Sequence, residues 1–359
     1  MDITNKAAGQ LLKRGKVYVL AITAAFVILC TSCNFPESIN EPTEDARLDT
    51  STPTTANDVE ATIEPVERKV LLFAAQESEE RAMRELKFKV IELAEESGLV
   101  VESVNQISEE DIRNDVSLIF FFEDDPGIEY FASRFKEIQF IAVGIPNITT
   151  DSNISIIGES GLRKDQQAFV AGYIAAMVAD DWRAGVVSIG ESEEIRAIEE
   201  GFLNGARYFC GLCRPAFPPF YEYPQSTHFD SNGLSWGSII GFIGENKLGV
   251  IYLAPTGVFE SSVSEWTPIE SAIIGDGPRP QIVPESQWMA AVQFTALEGL
   301  QTIWNDLLAG KGGFQVQWEL QIVEINRDLL SSGREQKALE LIDDLASGFI
   351  DTGFVLQDE

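Results

Sequence analysis

Short apolar runs alternate with helical stripes along most of the chain. Residues 69–75 are almost entirely apolar, which predicts a strand buried on both faces of a parallel sheet. Residues 79–97 then place apolar side chains at helical spacing, and Gly98 ends that stripe. Because parallel strands are joined by helices, the repeat of this unit predicts a doubly wound α/β sheet with ligand sites at the carboxyl ends of its strands.

The same unit recurs through the rest of the chain. Further strands are predicted at 99–104, 116–122, 140–144, 184–189, 220–223, 248–253, 271–275 and 314–325. Further helices are predicted at 127–136, 166–178, 193–209 and 284–309. A body that runs from Arg68 to Glu359 exceeds the usual size of one compact core, so two lobes with a cleft between them are expected.

The predicted lobes are each assembled from two segments. We assign residues 68–157 and 284–313 to the first lobe, and residues 158–283 and 314–359 to the second. Hinge bending is therefore expected where the chain would cross between lobes, near Gly158, Ile282 and Gly313.

The N-terminus has the pattern of a lipoprotein signal peptide. Lys and Arg residues within 6–16 precede an uncharged apolar run at 17–29, which is shorter than the roughly 20 residues that span a bilayer. Small residues precede Cys33, which favours Cys33 as the lipidated residue over Cys30, because bulky side chains precede Cys30. An uncleaved anchor is the weaker alternative. Either alternative places the chain outside the cytoplasm, and we expect a lipid anchor on the extracytoplasmic face of the cell membrane.

The segment after the signal peptide has no apolar period. Residues 34–67 are rich in Pro, Thr, Ser, Asn, Asp and Glu, a composition that buries too little apolar surface to offset the entropy of ordering it. We interpret this segment as a disordered tether between residues 1–33 and the folded body.

Composition narrows the range of partners. A net charge of −31 disfavours nucleic acid and anionic lipid as partners, because both bind basic surfaces. One histidine and four cysteines leave few ligands for zinc, and neither a metal nor a cofactor is expected. Outside the cytoplasm, Cys210 and Cys213 favour a small disulfide over a redox or metal centre.

Three segments have a more specific pattern, and they lie at 165–176, 184–190 and 200–208. Together they resemble the basic membrane protein family, whose members are nucleoside-binding lipoproteins of ABC transporters with the type I periplasmic binding protein fold. Further matching segments lie at 249–257, 272–277 and 345–350. The resemblance implies two lobes that close on a small solute, with an ABC permease as the partner.

Two segments depart from this family. After its first strand the family usually carries a ligand loop of the Asp-Asn or Asp-Lys-Ser-Phe-Asn type, whereas residues 76–80 are Gln-Glu-Ser-Glu-Glu. Residues 285–288 are Glu-Ser-Gln-Trp where the family usually has Ser-Val-Val-Lys. The resemblance therefore carries the fold over, and it leaves the identity of the ligand open.

Ligand contacts are expected where strands end. The candidates are Gln76, Phe122, Glu123, Glu159, Ser160, Glu191, Thr256, Asp276 and Trp288. Asp276 matches the family's carboxylate for sugar hydroxyls, although an aspartate before Gly277 is also an ordinary turn residue. Trp288 is either a stacking platform for a ring or a plug between helix and sheet. The Phe120–Phe122 run is expected to contribute partly to the core and partly to a slot for a ring.

No Arg or Lys can be placed in this cleft from the sequence. A neutral, ring-containing and hydroxylated solute is therefore expected, with a nucleoside first, a sugar next, and phosphorylated nucleotides much weaker. A cationic solute is compatible with the same carboxylates.

The expected function is that of a solute receptor for an ABC uptake transporter, and there are two alternative classes of function. An enzyme is disfavoured, because the lone His228 has no nucleophile-elbow serine motif beside it and no phosphate loop occurs. A sensory lipoprotein that signals to a membrane partner stays open, as does a changed ligand.

Overall fold

The computed structural model describes residues 68–78, 80–230, 235–257, 259 and 269–355. The predicted signal peptide, the Cys33 lipidation site and the tether lie outside these residues. Within the described part of the chain, no helix combines the length and the apolar character that crossing a bilayer requires.

The first lobe is built on a six-stranded parallel sheet. Its strands are β1 (Lys69–Phe73), β2 (Val100–Val104), β3 (Val116–Phe122), β4 (Gln139–Val143), β5 (Ile154–Ile157) and β11 (Gln315–Val316), in the order β11-β5-β4-β3-β1-β2. Its helices are α1 (Arg81–Glu96), α2 (Ile128–Arg134) and α6 (Leu297–Leu308).

The second lobe repeats the design with one antiparallel edge strand. Its strands are β6 (Ala184–Ile189), β7 (Gln225–Phe229), β8 (Val250–Ala254), β9 (Ala272–Gly275), β10 (Trp288–Thr295) and β12 (Glu319–Val323), in the order β12-β10-β9-β8-β6-β7. Its helices are α3 (Lys164–Val178), α4 (Glu193–Cys210), α5 (Trp236–Asn246) and α7 (Ser332–Ala346), and a single 3₁₀ turn lies at Asp180–Trp182. Strand β12 runs antiparallel to β10.

Helices cover both faces of each sheet, which explains the continuous apolar strands. In β3, alternation directs Phe120 and Phe122 into the core shared with α1 and α6, and it directs Phe121 into the core shared with α2. The Phe121 ring stacks on Phe140 of β4 with 6.2 Å between the ring centroids. A strand packed on both sides in this way has no polar face.

Helices α3 and α4 pack against each other at very short range. A β-carbon on Gly172 would overlap the carbonyl oxygen of Phe202, and a β-carbon on Gly205 would overlap the carbonyl oxygen of Phe169. Gly201 approaches the Asp165 backbone in the same way. The small residues of the segments at 165–176 and 200–208 therefore have a packing role, since only glycine lets the two backbones meet.

Three of the predicted elements are wrong. Residues 284–309 are not one helix, because 288–295 form the buried strand β10 before α6 begins. The sequence of β10 is almost continuously apolar, and such a run has no period that separates a buried strand from a buried helix. The predicted strand at 314–325 is two strands in different sheets, and the strand predicted at 220–223 lies at 225–229. Strand β5 and helices α5 and α7 were not predicted.

The lobes also divide differently from the prediction. The chain leaves the first lobe at Gly158, returns to it at Ala296 before α6, and leaves it again at 317–318. Residues 284–295 therefore belong to the second lobe and residues 314–316 to the first, the reverse of the predicted assignment. Two predicted crossing points lie inside lobes, since Ile282 packs on the second core and the Gly313 amide donates to the Ile154 carbonyl at 3.2 Å. The difference arises because the sheet that a strand joins depends on contacts distant in sequence.

A buried carboxylate anchors the C-terminal segment to helix α3. Asp165 accepts two hydrogen bonds from the Arg163 guanidinium, at 2.9 and 2.7 Å, and a third from the Thr352 hydroxyl. Burial raises the pKa of Asp165, but these hydrogen bonds outweigh it and hold the pKa below its ordinary value. The ionised carboxylate therefore stabilises the fold.

The Asp165→Ala substitution should lower the free energy of unfolding by about 1–3 kcal/mol near neutral pH, because it leaves the buried Thr352 hydroxyl without its acceptor and breaks the ion pair with the half-exposed Arg163. Since the folded-state pKa is depressed, this contribution exists above the unfolded pKa of about 3.9 and disappears as the pH falls through the folded value. Urea denaturation at several pH values measures both effects. The exposed Asp344→Ala variant is the control and should change stability by less than about 0.5 kcal/mol.

Candidate functional site

A cavity of about 710 Å³ lies between the lobes, at the carboxyl ends of the strands. The loop between β1 and α1 and the start of α1 form one wall. The other wall is formed by the starts of α3 and α4, the loops after β8 and β9, and the end of β10. Its charged residues are Glu77, Glu80, Glu85, Glu194, Asp276, Arg81, Arg84 and Lys164. With five carboxylates and three cationic groups, the cavity is polar and has a net negative charge.

Lys164 connects the two walls of the cavity. Its ammonium lies 2.8 Å from Glu80 of the first lobe and 3.6 Å from Glu194 of the second. Burial lowers the pKa of Lys164, yet the charges of Glu80, Asp276 and Glu194 together raise that pKa above its ordinary value. Lys164 is also the first residue of α3, where the helix dipole disfavours a cation. The surrounding carboxylates thus keep it charged in an otherwise unfavourable position.

Glu194 is a wall carboxylate whose pKa is raised. Burial raises the pKa of its carboxyl, and the charges of Glu80 and Asp276 raise it further, while Lys164 lowers it. The net shift is upward, because burial together with the two neighbouring carboxylates outweighs the attraction of Lys164. A further cationic group bound beside Glu194 would favour its ionised form.

Asp276 is fixed by reciprocal hydrogen bonds with Thr256. The Thr256 amide donates to the Asp276 carboxylate at 2.7 Å, and the Asp276 amide donates to the Thr256 hydroxyl at 3.1 Å. Gln167 donates to the Asp276 carbonyl at 3.2 Å and to the Val292 carbonyl at 2.7 Å. The second carboxylate oxygen of Asp276 has no hydrogen-bond partner among the residues that the structure describes. A rigid acceptor is therefore available to a solute.

The structure brings two of the predicted ligand residues, Thr256 and Asp276, into the cavity wall. Gln76 is exposed beside the wall residue Glu77. The other polar candidates lie outside the wall. Glu123, Ser160 and Glu191 are exposed, and Glu159 accepts a hydrogen bond from Gln315 at 2.8 Å.

The two predicted aromatic contacts are buried in the lobes. Phe122 is 4% exposed in the core of the first lobe, and Trp288 is 2% exposed in the core of the second. The Trp288 ring packs on Gly275, so the structure supports the alternative in which Trp288 is a plug. Among the described residues of the cavity wall, Phe294 is the single aromatic.

Sequence reasoning missed the cationic side of the cavity. The expectation of a cleft without Arg or Lys is wrong, because Arg81, Arg84 and Lys164 line it. All three lie in the first turn of a helix, and Glu194 does too. A helix that follows a parallel strand begins at the carboxyl edge of the sheet, beside the end of that strand. Charged residues in the first turn of such a helix could therefore have been predicted to line the cavity.

A second group of reactive side chains lies on the second lobe. The Ser188 hydroxyl donates to Glu199, and the nearest ring nitrogen of His228 is 3.4 Å from the same carboxylate. No hydrogen bond joins Ser188 to His228, so the pair lacks the contact between nucleophile and base that acyl transfer uses.

Cys210 and Cys213 form a disulfide with 5.0 Å between their Cα atoms. The described residues contain no group of three ligands placed to hold a metal ion.

Solved structures share this architecture. An ABC transporter system solute-binding protein from Conexibacter woesei DSM 14684 matches with a TM-score of 0.52 and 14% identity, over 79% of this chain and 98% of that chain. A second one from Aeropyrum pernix K1 gives 0.46 and 14% identity over 79% and 87%. A transcriptional activator of the comK gene from Bacillus halodurans gives 0.48 and 16% identity over 80% and 99%.

No family model matches the sequence, and no curated protein matches it. The architecture is nevertheless defined by the two sheets and the likeness to the Conexibacter woesei protein. The chain has the type I periplasmic binding protein fold, with two doubly wound α/β lobes connected by three crossings.

Proposed function

We propose that this protein is an extracytoplasmic solute-binding lipoprotein that delivers a small polar solute to an ABC uptake permease. The observation that carries the proposal is the cavity between the lobes, whose opposite walls are bridged by Lys164. A cavity of this size suits a small molecule, and its walls belong to lobes that can move relative to each other. The structure from Conexibacter woesei, an ABC transporter system solute-binding protein, supports the same role.

A nucleoside is the ligand that the resemblance to the basic membrane protein family implies. Asp276 offers an acceptor for sugar hydroxyls, whereas the wall residue Phe294 is only 5% exposed and presents little ring surface to a base. The five carboxylates also suit a solute that carries a protonated amine. Arg81 and Arg84 also line the cavity, Arg81 in an ion pair with Glu85 at 2.6 Å, so a lack of cationic groups is no longer an argument against phosphorylated nucleotides.

A thermal-shift panel on the purified chain tests the proposal. Nucleosides, nucleotides, sugars, amino acids and polyamines are added singly, and at least one class should raise the melting temperature. A ligand at a hundredfold excess over its Kd adds about 2.7 kcal/mol to the free energy of unfolding. We expect nucleosides or amine-bearing solutes to give the largest shift. If no class stabilises the chain, the solute-binding function is wrong.

Lipidation is tested by a pair of cysteine variants. The Cys33→Ala variant should take up no labelled fatty acid and should accumulate as precursor, because the acylated thiol is absent. The Cys30→Ala variant is the matched control and should be labelled like the wild type. Label that persists in Cys33→Ala and disappears in Cys30→Ala would move the anchor to Cys30, and label in both variants would contradict lipidation at a single cysteine.

A further inference from the structure

The charged side chains of the cavity wall do not balance one another. Five carboxylates stand against three cationic groups, so the negative charges of the wall outnumber the positive ones by two. Arg81 lies 2.6 Å from Glu85, within the first lobe. Lys164 reaches across to Glu80 of the same lobe at 2.8 Å, and Arg84 donates to a backbone carbonyl there at 3.1 Å. All three cations thus contact groups of the first lobe, and the carboxylates of the second lobe are compensated less closely.

Glu194 and Asp276 are the two carboxylates of the described second-lobe wall, and together they are called the acidic corner below. The Lys164 ammonium lies 3.6 Å from Glu194, farther than from Glu80. Among the residues that the structure describes, Asp276 forms no ion pair, and its carboxylate accepts a single hydrogen bond, from the Thr256 amide at 2.7 Å. The charge of Asp276 also acts on Glu194. The acidic corner therefore combines free acceptor oxygens with two charges that repel each other.

A buried hydroxyl adjoins the acidic corner. Tyr252 of β8 is fully buried, and its hydroxyl has no hydrogen-bond partner among the described residues. Burial raises the pKa of this phenol, and the charges of Asp276 and Glu194 raise it further, so both carboxylates act on the hydroxyl. Buried hydroxyls ordinarily have a partner, and this oxygen can accept as well as donate. The acidic corner and its surroundings therefore hold more acceptors than donors.

The class of solute that fits this wall follows from its charge. A neutral solute that fills the cavity displaces water from the carboxylates and supplies no positive charge, so it leaves the desolvation cost unpaired. An anionic solute adds to the excess of negative charge. A protonated amine brings one positive charge and three N–H donors, and hydrogen bonds between ionised groups are stronger than neutral ones. A solute with an amine is therefore favoured over a solute that offers hydroxyls alone.

We infer that the solute carries a protonated amine, which binds at the acidic corner between Glu194 and Asp276. This assignment rests on the proposed solute-binding function and adds the chemical class of the solute. The amine competes with Lys164 for Glu194, where the lysine contact is the longer of its two. Pairing with an ammonium group thus takes the place of the sugar hydroxyls that Asp276 would accept from a nucleoside.

Calorimetry on the purified full chain tests the assignment with matched pairs of solutes. In each pair an amine replaces a hydroxyl, and the pairs are 1,4-diaminobutane with 1,4-butanediol, glucosamine with glucose, alanine with lactate, and 5′-amino-5′-deoxyadenosine with adenosine. In at least one pair the Kd of the amine should be at least about tenfold lower than that of the hydroxyl compound, because its hydrogen bonds are charge-assisted.

The outcomes separate the class of solute from the solute-binding function. If the hydroxyl compound binds as tightly as the amine in every pair that binds, or if the thermal-shift panel yields a binder without an amine, the amine assignment is wrong and the solute-binding function stands. A binder with an amine from that panel supports the assignment. If no solute of the pairs or the panel binds, both are wrong.

Charge-removing variants locate the amine. Glu194→Gln and Asp276→Asn keep the side-chain shape, and each should raise the Kd of the amine by about tenfold while changing that of the hydroxyl compound by less than about threefold. Glu191→Gln alters an exposed carboxylate of the same lobe outside the cavity wall and should leave both Kd values within about twofold. An amine preference that survives in both corner variants would overturn the assignment. Circular dichroism checks that the variants remain folded.

Discussion

The Gly205→Ala variant is expected to lose about 3 kcal/mol of its free energy of unfolding, and more if the helices cannot separate. A β-carbon at this position would overlap the carbonyl oxygen of Phe169 in helix α3. Backbone atoms cannot rotate away as a flexible side chain can, so the clash forces α3 and α4 apart. The separation would open the core around Phe202, which lies on α4 beside the contact.

The control for this prediction is another helical glycine. Gly244 lies in α5, and a β-carbon there would meet no atom within 4 Å. The Gly244→Ala variant should be neutral or up to about 1 kcal/mol more stable than the wild type, because alanine has the higher helix propensity. Guanidinium denaturation of the three proteins measures the difference. A loss below about 0.5 kcal/mol in Gly205→Ala would contradict the close approach of the helices.

The Asp276→Ala variant is expected to bind the solute at least about tenfold more weakly, a loss of about 1.4 kcal/mol. The substitution removes the acceptor whose second oxygen is unpaired among the described residues, and it leaves the Thr256 amide without its partner. Calorimetry with the solute that stabilises the wild type in the thermal-shift panel measures the change. The Asp276→Asn variant keeps an acceptor for Thr256 and separates loss of structure from loss of the carboxylate.

Two other carboxylates serve as controls for Asp276. Glu123 and Glu191 also follow strand ends, but both are exposed and outside the cavity wall. Alanine at either position should leave affinity within about twofold of the wild type, the range of a surface change. Wild-type affinity in Asp276→Ala, or equal losses in all three variants, would contradict the placement of the binding site.

The bridge through Lys164 links these predictions to lobe movement. Its ion pair with Glu80 crosses the cavity, so a hinge motion that opened the lobes would break it. Both partners are partly buried, with side-chain exposures of 13% and 31%, so the attraction is less screened than at an open surface. A solute with its own amine would compete with Lys164 for the same carboxylates, and one without an amine would leave the bridge intact.

Local patterns in the sequence were sufficient for most of the fold. The apolar run at 116–122 has no polar alternation, and it forms β3 with helices on both faces. The small residues of 165–176 and 200–208 predicted helices, and their packing in the structure explains why glycine is required there. Asp276 could be placed in the cavity because it directly follows a strand, and every parallel strand of a doubly wound sheet ends at the ligand edge.

Other features depended on contacts between residues far apart in the chain. The run at 288–295 is apolar enough for either a helix or a buried strand, and its pairing with β9 and β12 decided the outcome. Strand register decides on which face of the sheet Phe122 and Trp288 lie. Both residues belong to continuous apolar runs, and such runs have no alternation from which the face could be predicted.

The cationic residues of the cavity also depend on contacts between segments far apart in the chain. Glu80 and Lys164 are 84 residues apart, and their charges meet because the two lobes face each other across the cavity. The sequence by itself determined most of the strands, most of the helices and the carboxyl edge at which a ligand is expected, since these follow from local period and parallel topology. Only the tertiary structure decided the lobe of β10, the burial of the two aromatic candidates and the charge inside the cavity, because each depends on which distant segments pack together.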